Sequence, residues 1–176
     1  GLAIIGKFSW SLVPTYLLAQ LLGAMFGSWL CYILYIDHYR ETEDEDTIRG
    51  TFCTAPAIRN YKNNFFSEAL GTFVLVFGIF FIASPNIVID GTVTQNFGIG
   101  SLESLPVAIL VWVIGMGLGG TTGYAINPAR DFGPRLMYQL LPRKNKRADW
   151  AYSWIPVFGP FTGAVVAGLI YNVLMA

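Results

Sequence analysis

The chain has 176 residues, of which 54% are hydrophobic and 12% charged, and its formal net charge is zero. Soluble domains carry about 25% charged residues, so this composition favours a membrane protein and gives no indication of a nucleic-acid partner. Two cysteines, Cys31 and Cys53, and one histidine, His38, exclude a disulfide framework and a histidine-rich metal site. We expect two reduced cysteines, and a single Cys31–Cys53 bridge is the alternative.

Long apolar stretches predict an all-α membrane protein, because a spanning helix needs about 20 mostly apolar residues. The predicted spans cover residues 9–36, 65–83, 105–122 and 154–175. Glycines four residues apart recur inside the spans and favour a tightly packed bundle, because small residues let helix backbones approach closely. These pairs are Gly23 with Gly27, Gly115 with Gly119, and Gly159 with Gly163.

The segments between the spans differ in character. Residues 37–64 contain the run ETEDED and are expected to form a long solvated loop, while residues 84–104 read as a loop with almost no charge. Residues 142–150, PRKNKRADW, form a short basic loop. Two further apolar pieces, residues 1–8 and 127–141, are too short to cross a hydrocarbon core of about 30 Å.

The stretch GYAINPARDFGPR, residues 123–135, interrupts the apolar pattern. Asn127 can cap the free N–H groups of a helix, and Pro128 suits the first helical position because its missing N–H is not needed there. Glycines upstream are expected to end the preceding span near Gly120. Irregular backbone at membrane depth survives only where it lines a water-filled cavity or is buried in protein, so the stretch predicts a polar pathway.

Arg130 is a candidate functional residue, because a charged side chain inside a membrane is costly unless it faces the interior of the protein or a cavity. Asp131 follows it directly, so we expect the two to form a local ion pair. The alternative is that Arg130 lies at the membrane surface and anchors a helix end.

The motif NPARDFGP follows the pattern GxGxGGxxG from Gly115 and precedes WIPVFGPFTGA, and together they resemble the aquaporin family, most closely its aquaglyceroporin branch of glycerol facilitators. The resemblance extends from Gly1 to Ala176. It implies an aquaporin-like helical bundle that lies in the plasma membrane as a homotetramer. It also implies a passive channel for glycerol, other small uncharged solutes and water that excludes ions and protons and needs no cofactor or metal.

The resemblance assigns roles to residues around the motif. Asn127, Pro128 and Ala129 would be the second NPA box, at the tip of a re-entrant half-helix. The selectivity filter would consist of Arg130, Tyr124 and Gly115, and the backbone carbonyls of Gly123, Tyr124 and Ala125 would accept hydrogen bonds along the pore wall. Tyr124 departs from the phenylalanine that is usual in glycerol channels.

Two acids are implied to support this site. Glu68 would lie inside the bundle and accept hydrogen bonds from the irregular backbone before the half-helix, and Asp131 would give further structural support. The alternative for Glu68 is a helix N-terminus at the interface, where the dipole stabilises a carboxylate. Tyr35, Asp131, Arg135 and Pro156 resemble choices of the glycerol-channel branch, although Arg135 also fits an ordinary helix-surface cation.

The chain departs from the family pattern of two inverted repeats, each with three spans and a half-helix. Residues 1–8 resemble the tail of the first half-helix, and the first two spans and the first NPA box are absent. We therefore expect that this chain alone would not conduct selectively. A non-conducting fragment, and a piece of a secondary transporter with discontinuous helices, remain as alternatives.

The distribution of basic residues bears on the orientation of the chain in the membrane. The basic residues lie mostly in residues 37–64 and 142–150, which the positive-inside rule would place in the cytoplasm. The resemblance implies the opposite side, and we follow the resemblance because the missing spans would normally set the orientation.

No motif of a hydrolase or metalloprotease is present, so we do not expect an enzyme.

Overall fold

The structure, a computed structural model, describes residues 1–82, 86–89, 92–96, 100–144 and 146–176. In this part of the chain the helices, in order, are α1 (Val13–Leu34), α2 (Ile36–Glu41), α3 (Glu45–Gly50), α4 (Tyr61–Phe81), α5 (Leu105–Leu118), α6 (Pro128–Leu140) and α7 (Ile155–Met175). Two 3₁₀ turns, Trp10–Leu12 and Gly100–Ser104, precede α1 and α5.

Among the residues that the structure describes, three helices are long and apolar enough to cross a membrane, namely Trp10–Leu34, Tyr61–Phe81 and Ile155–Met175. The predicted span over residues 105–122 is instead a shorter apolar helix, Leu102–Leu118. It ends early because glycine is the weakest helix former after proline, and Gly119 and Gly120 follow directly.

The predicted connections contain more regular structure than expected. Residues 37–64 include most of α2 and the whole of α3, and residues 84–104 include an antiparallel pair of strands, β1 (Asn86–Ile89) and β2 (Thr92–Asn96). β-branched residues, which favour strands, make up most of both. The last residue of the predicted span 65–83, Ala83, lies outside the described residues.

Glycines lie where the long helices pack most closely. On α7, a Cβ at Gly163 would come within 2.1 Å of the Ala69 carbonyl oxygen on α4. On α6, a Cβ at Gly133 would lie 2.9 Å from the Ala24 Cβ on α1. The predicted pair Gly23 and Gly27 is different, because a Cβ at either would meet nothing within 4 Å among the described residues.

An aromatic cluster closes one end of the bundle. Its buried members come from α2, α3, α6 and the segments next to them: Tyr39, Ile48, Phe52, Tyr138, Leu141 and Ala148. Cys53 is buried beside this cluster's Phe52 and Cys31 is exposed, and both thiols are free, as expected from the sequence. Burial raises the pKa of Cys53 to about 12, so its thiol stays protonated at neutral pH.

At the N-terminus, the predicted tail of a half-helix forms consecutive turns. The Ile5 N–H donates to the Gly1 carbonyl at 3.2 Å, and the Lys7 N–H donates to the Leu2 carbonyl at 2.9 Å. Gly6 then reverses the chain with a φ of 73°, a conformation that glycine adopts without steric cost.

Candidate functional site

The half-helix α6 starts where the sequence predicts. Asn127 is its N-cap, and its Oδ1 accepts from the backbone N–H of Ala129 at 2.9 Å and of Arg130 at 3.4 Å. Because Oδ1 is occupied in this way, the side-chain amide Nδ2 is oriented by the cap and donates to no residue that the structure describes. Asn127 is exposed, so Nδ2 is a fixed donor at the tip of the half-helix.

The backbone before α6 adopts a conformation that most side chains avoid. Gly123, Tyr124 and Ile126 have φ values of 75°, 39° and 42°. Positive φ is uncommon outside glycine and is a genuine outlier for a β-branched residue. Such strain costs about 1–3 kcal/mol at each of Tyr124 and Ile126, while Gly123 adopts its conformation freely, and it persists only where surrounding contacts hold it.

Glu68 on α4 holds this segment. Its Oε1 accepts from the Ala125 N–H at 2.9 Å and its Oε2 from the Ile126 N–H at 2.8 Å. The side chain is 0% exposed, so these contacts lie inside the bundle and not at a membrane interface. The Gly123 N–H is also taken, by the Gly119 carbonyl at 2.9 Å.

The three N–H groups just named are thus hydrogen-bonded to the protein. The carbonyls of Gly123, Tyr124 and Ala125, by contrast, accept no hydrogen bond from any described residue. A backbone carbonyl is an obligatory hydrogen-bonding group. We call these three carbonyls the carbonyl row. It lies directly before the donors of Asn127 and Arg130 in the chain, so acceptors and donors follow one another along a single segment.

Tyr124 lies against α5, opposite two glycines. A Cβ at Gly115 would come within 2.9 Å of Tyr124 Cζ, and a Cβ at Gly119 within 2.7 Å of Tyr124 Cδ1. The ring thus occupies the space that side chains at these positions would need, while 37% of Tyr124 stays exposed. Two of the three residues predicted for the filter, Tyr124 and Gly115, are therefore in contact.

This contact yields a first prediction, the substitution Gly119→Ala. Its Cβ would lie 2.3 Å from the Gly115 carbonyl oxygen as well as against the Tyr124 ring. We expect a loss of about 1–3 kcal/mol in unfolding free energy, the usual effect of overpacking, seen as a lower melting temperature of the purified protein. Gly117→Ala on the same helix is the matched control.

A Cβ at Gly117 would meet nothing within 4 Å. Alanine is also the better helix former by about 0.5–1 kcal/mol, so this control should leave stability unchanged or raise it. Equal melting temperatures for the two variants would show that the close approach of Tyr124 to α5 is not as described.

The prediction that Arg130 pairs with Asp131 is wrong. Arg130 is exposed, and its side chain forms no hydrogen bond or ion pair with the described residues, whereas Asp131 is buried and pairs with Arg135. The reason is helical geometry: neighbours at i and i+1 point apart, while residues four apart share a face. Arg130 is therefore left as an uncompensated cation beside the Asn127 cap.

Asp131 and Arg135 form the centre of a buried clamp. Asp131 Oδ1 accepts from Arg135 Nε at 2.8 Å, and Oδ2 accepts from the Thr54 N–H at 2.7 Å and the Thr54 hydroxyl at 2.6 Å. The arginine also donates to the carbonyls of Thr54 at 2.8 Å and Ala148 at 2.5 Å. The clamp ties α6 to two connections, the one between α3 and α4, which holds Thr54, and the one between α6 and α7, which holds Ala148.

Arg135 is 0% exposed, so its interpretation as a helix-surface cation is wrong. Thr54 was missed by the sequence analysis, and no local pattern could have indicated it, because its partner lies 77 residues away.

The remaining branch positions lie apart from the filter residues in the chain. Tyr35 is exposed at the end of α1, and Pro156 is buried in the first turn of α7.

Comparison with known proteins settles the family. The family model described as Major intrinsic protein matches residues 1–171. The chain belongs to the major intrinsic protein family. The chain is 48% identical over 173 residues to the probable glycerol uptake facilitator protein of Thermotoga maritima, covering 98% of this chain and 69% of that protein.

Two further comparisons agree. Glycerol uptake facilitator protein 3 of Lactiplantibacillus plantarum is 45% identical over 175 residues, which cover 99% of this chain and 68% of that protein. The X-ray structure of the aquaglyceroporin from Plasmodium falciparum superposes with a TM-score of 0.77 at 30% identity, covering 99% of this chain and 69% of that one.

Membership of the major intrinsic protein family confirms the predicted aquaporin-like helical bundle. It also identifies the chain as a membrane protein, in agreement with its apolar helices. Members of this family are channels and not enzymes, so the prediction that this chain is not an enzyme agrees with the family.

Proposed function

We propose that this member of the major intrinsic protein family is a passive plasma-membrane channel for glycerol, other small uncharged solutes and water, that it excludes ions and protons, and that it acts as a homotetramer. The observation that carries the proposal is the carbonyl row. Glu68 fixes the backbone conformation of this segment, and the donors of Asn127 and Arg130 follow it in the chain. Two relatives bear the name of glycerol uptake facilitator, which points to the same solute.

The chemistry of the segment suits a polyol. Each hydroxyl of glycerol both donates and accepts a hydrogen bond, as serine and threonine hydroxyls do. The carbonyl row can accept along one side of the path, and the Asn127 amide and the Arg130 guanidinium can donate. The Tyr124 ring, lying on Gly115 and Gly119, offers an apolar wall for the carbon backbone of the solute.

Exclusion of cations would follow from Arg130 and the N-terminus of α6. The N-terminal end of a helix carries a partial positive charge, and Arg130 adds a full one that no described carboxylate neutralises. An arginine or the positive ends of half-helices at a constriction repel protons and cations. We therefore assign the passage of solutes to the carbonyl row and the exclusion of cations mainly to Arg130.

Uptake measurements test the function. We expect liposomes containing the protein in its natural full length to swell in a glycerol gradient faster than protein-free liposomes, without saturation and independently of sodium or proton gradients. Arg130→Ala should admit protons at least about fivefold faster, because it removes a charge repulsion of about 1 kcal/mol in water, while glycerol entry continues. Arg40→Ala removes an exposed arginine of α2 and is the control.

Other outcomes would decide against the proposal. Saturable, gradient-coupled glycerol entry would indicate a secondary transporter, and no entry above background would indicate a non-conducting protein. A proton leak that is the same in both arginine variants would remove Arg130 from its assigned role.

A further inference from the structure

An open groove runs between α1 and α6. It has a volume of about 490 Å³, and every side chain that lines it is apolar or aromatic. On α1 the lining extends from Leu22 to Trp29, and α6 contributes Met137 and Leu140. Leu22 and Phe26 are each more than half exposed, so the protein's own side chains do not fill the groove. In a membrane such a surface meets lipid tails, which are as apolar as leucine.

The groove covers one half of the membrane. The apolar span Trp10–Leu34 has its midpoint at Leu22, where the groove begins. From there to Trp29 the helix rises roughly 10 Å, whereas one leaflet contributes roughly 15 Å to the hydrocarbon core. A helix of a second protein would need an apolar contact along the whole span. The groove instead matches the reach of an acyl chain from one leaflet.

A polar cavity continues the groove at the membrane surface. Its volume is about 560 Å³, and Pro142 lines both spaces. Tyr32, which also lines the cavity, comes one helical turn after Trp29, and Ile36 lies just beyond the end of the span Trp10–Leu34. The cavity therefore lies at the level of the lipid head groups. We call the groove and the cavity together the α1–α6 cleft.

Charged side chains line the cavity, and three of them are already paired. Arg143 Nη2 donates to the Glu45 carboxylate at 3.1 Å, and Glu45 also accepts from the Tyr138 hydroxyl at 2.6 Å. Arg40 Nη1 donates to Asp37, which lies outside the cavity, at 2.9 Å. These side chains are engaged by the protein and are not left to bind a ligand.

Two further charges of the cavity wall have no such partner. Lys144 follows α6, and Glu43 lies between α2 and α3; both are exposed. Neither forms an ion pair with any residue that the structure describes. Because they do not pair with each other, the cavity presents an ammonium and a carboxylate at separate points. A head group that complements both contains an anion and a cationic donor.

We propose that the α1–α6 cleft binds one phospholipid of the phosphatidylethanolamine type. An acyl chain lies in the groove, the phosphate accepts from Lys144, and the primary ammonium donates to Glu43. Hydrogen bonds between charged partners of this kind are stronger than those between neutral groups. The site is independent of the proposed conduction, since no residue of the carbonyl row lines the groove or the cavity.

The test uses the protein in its natural full length, purified in detergent and freed of lipid. Native mass spectrometry measures binding of added dioleoyl phosphatidylethanolamine. We expect one bound lipid per chain, with an affinity higher than that for dioleoyl phosphatidylcholine by up to about fivefold, the most that one exposed ion pair contributes. Phosphatidylcholine has no N–H to donate to Glu43. Dioleoyl phosphatidylglycerol, which has no ammonium, should also bind less tightly.

Two substitutions separate the two ends of the head group. Lys144→Ala should weaken the binding of phosphatidylethanolamine and of phosphatidylcholine by up to about fivefold, because both contain the phosphate. Glu43→Ala should remove the preference for phosphatidylethanolamine and leave the binding of phosphatidylcholine unchanged. Lys62→Ala and Glu41→Ala are the matched controls, since both residues are exposed and neither lines the cleft. Both controls should bind as wild type.

Glycerophosphoethanolamine, which has the same head group without acyl chains, tests the groove. It should not displace the bound lipid at equal concentration, and displacement would show that the groove takes no part. Absence of a bound lipid would mean that a second copy or another segment of the full-length protein covers the cleft. That result, equal affinity for the three lipids, or equal binding by Lys144→Ala and Lys62→Ala would overturn the proposal.

Discussion

Glu68→Ala is expected to destabilise the protein more than substitution of any exposed acid, by about 2–6 kcal/mol in unfolding free energy. The substitution leaves the N–H groups of Ala125 and Ile126 buried without an acceptor, and each such donor costs about 1–3 kcal/mol. The strained conformations of Tyr124 and Ile126 then lose the contacts that hold them. Solute passage should fall with stability, because the carbonyl row loses its shape.

The measurement is the melting temperature of the purified protein together with glycerol flux in liposomes. Glu68→Gln should have a smaller effect, because its amide oxygen can still accept one of the two N–H groups. Glu103→Gln, which changes an exposed acid, is the control and should behave as wild type. If Glu68→Ala melts within a degree of the control, the segment before α6 must be held by something other than this carboxylate.

Asp131→Ala is the second substitution with a large expected effect, about 3–5 kcal/mol, because it leaves the Arg135 guanidinium buried without its counter-charge. Arg135→Ala should cost a similar amount for the converse reason. The double variant should lose less than the sum of the two, since neither charge is then left alone. Unfolding of all three variants measures this coupling.

A matched exposed pair is available in the same chain. Arg40 and Asp37 lie 2.9 Å apart on α2, with 67% and 84% of their side chains exposed. Exposed ion pairs contribute at most about 1 kcal/mol, so Asp37→Ala should have little effect. Comparable losses for Asp37→Ala and Asp131→Ala would mean that burial does not distinguish the two pairs.

The clamp also bears on Arg130. Asp131 is fully engaged by Arg135 and Thr54 and does not neutralise its neighbour. Arg130, in the first turn of α6 beside the Asn127 cap, therefore has no ion-pair partner in the part of the chain that the structure describes. Arg130 and Asp131 are neighbours in the sequence, but their side chains leave α6 in different directions. Asp131 therefore stabilises α6 through Arg135, whereas Arg130 is exposed. The proposed proton exclusion and the stability of α6 should therefore be separable by mutation.

The local features of the site could be read from the sequence. The start of α6 at Pro128, the cap at Asn127 and the end of α5 near Gly119 follow from preferences that act within a few residues. The spans of α1, α4 and α7 follow from apolar stretches of sufficient length. The strands β1 and β2 do not follow from the sequence, because a segment with many polar residues and almost no charge fits a loop equally well.

Contacts between distant residues could not be derived in this way. Glu68 reaches Ala125 across 57 positions and Thr54 reaches Asp131 across 77, and one sequence contains no periodic signal for such pairs. The resemblance to a family suggested the contact of Glu68, but nothing suggested Thr54.

The amino-acid sequence determines where helices can form and where they must stop, because capping, glycine and proline act through the local backbone. The tertiary structure decided the partner of each buried charge. It brings Glu68 of α4 to the segment before α6, and it brings Asp131 and Arg135 of α6 to Thr54 in the connection between α3 and α4. A carboxylate or guanidinium taken out of water is stable only beside the groups that satisfy it, and those groups meet only when the helices are assembled.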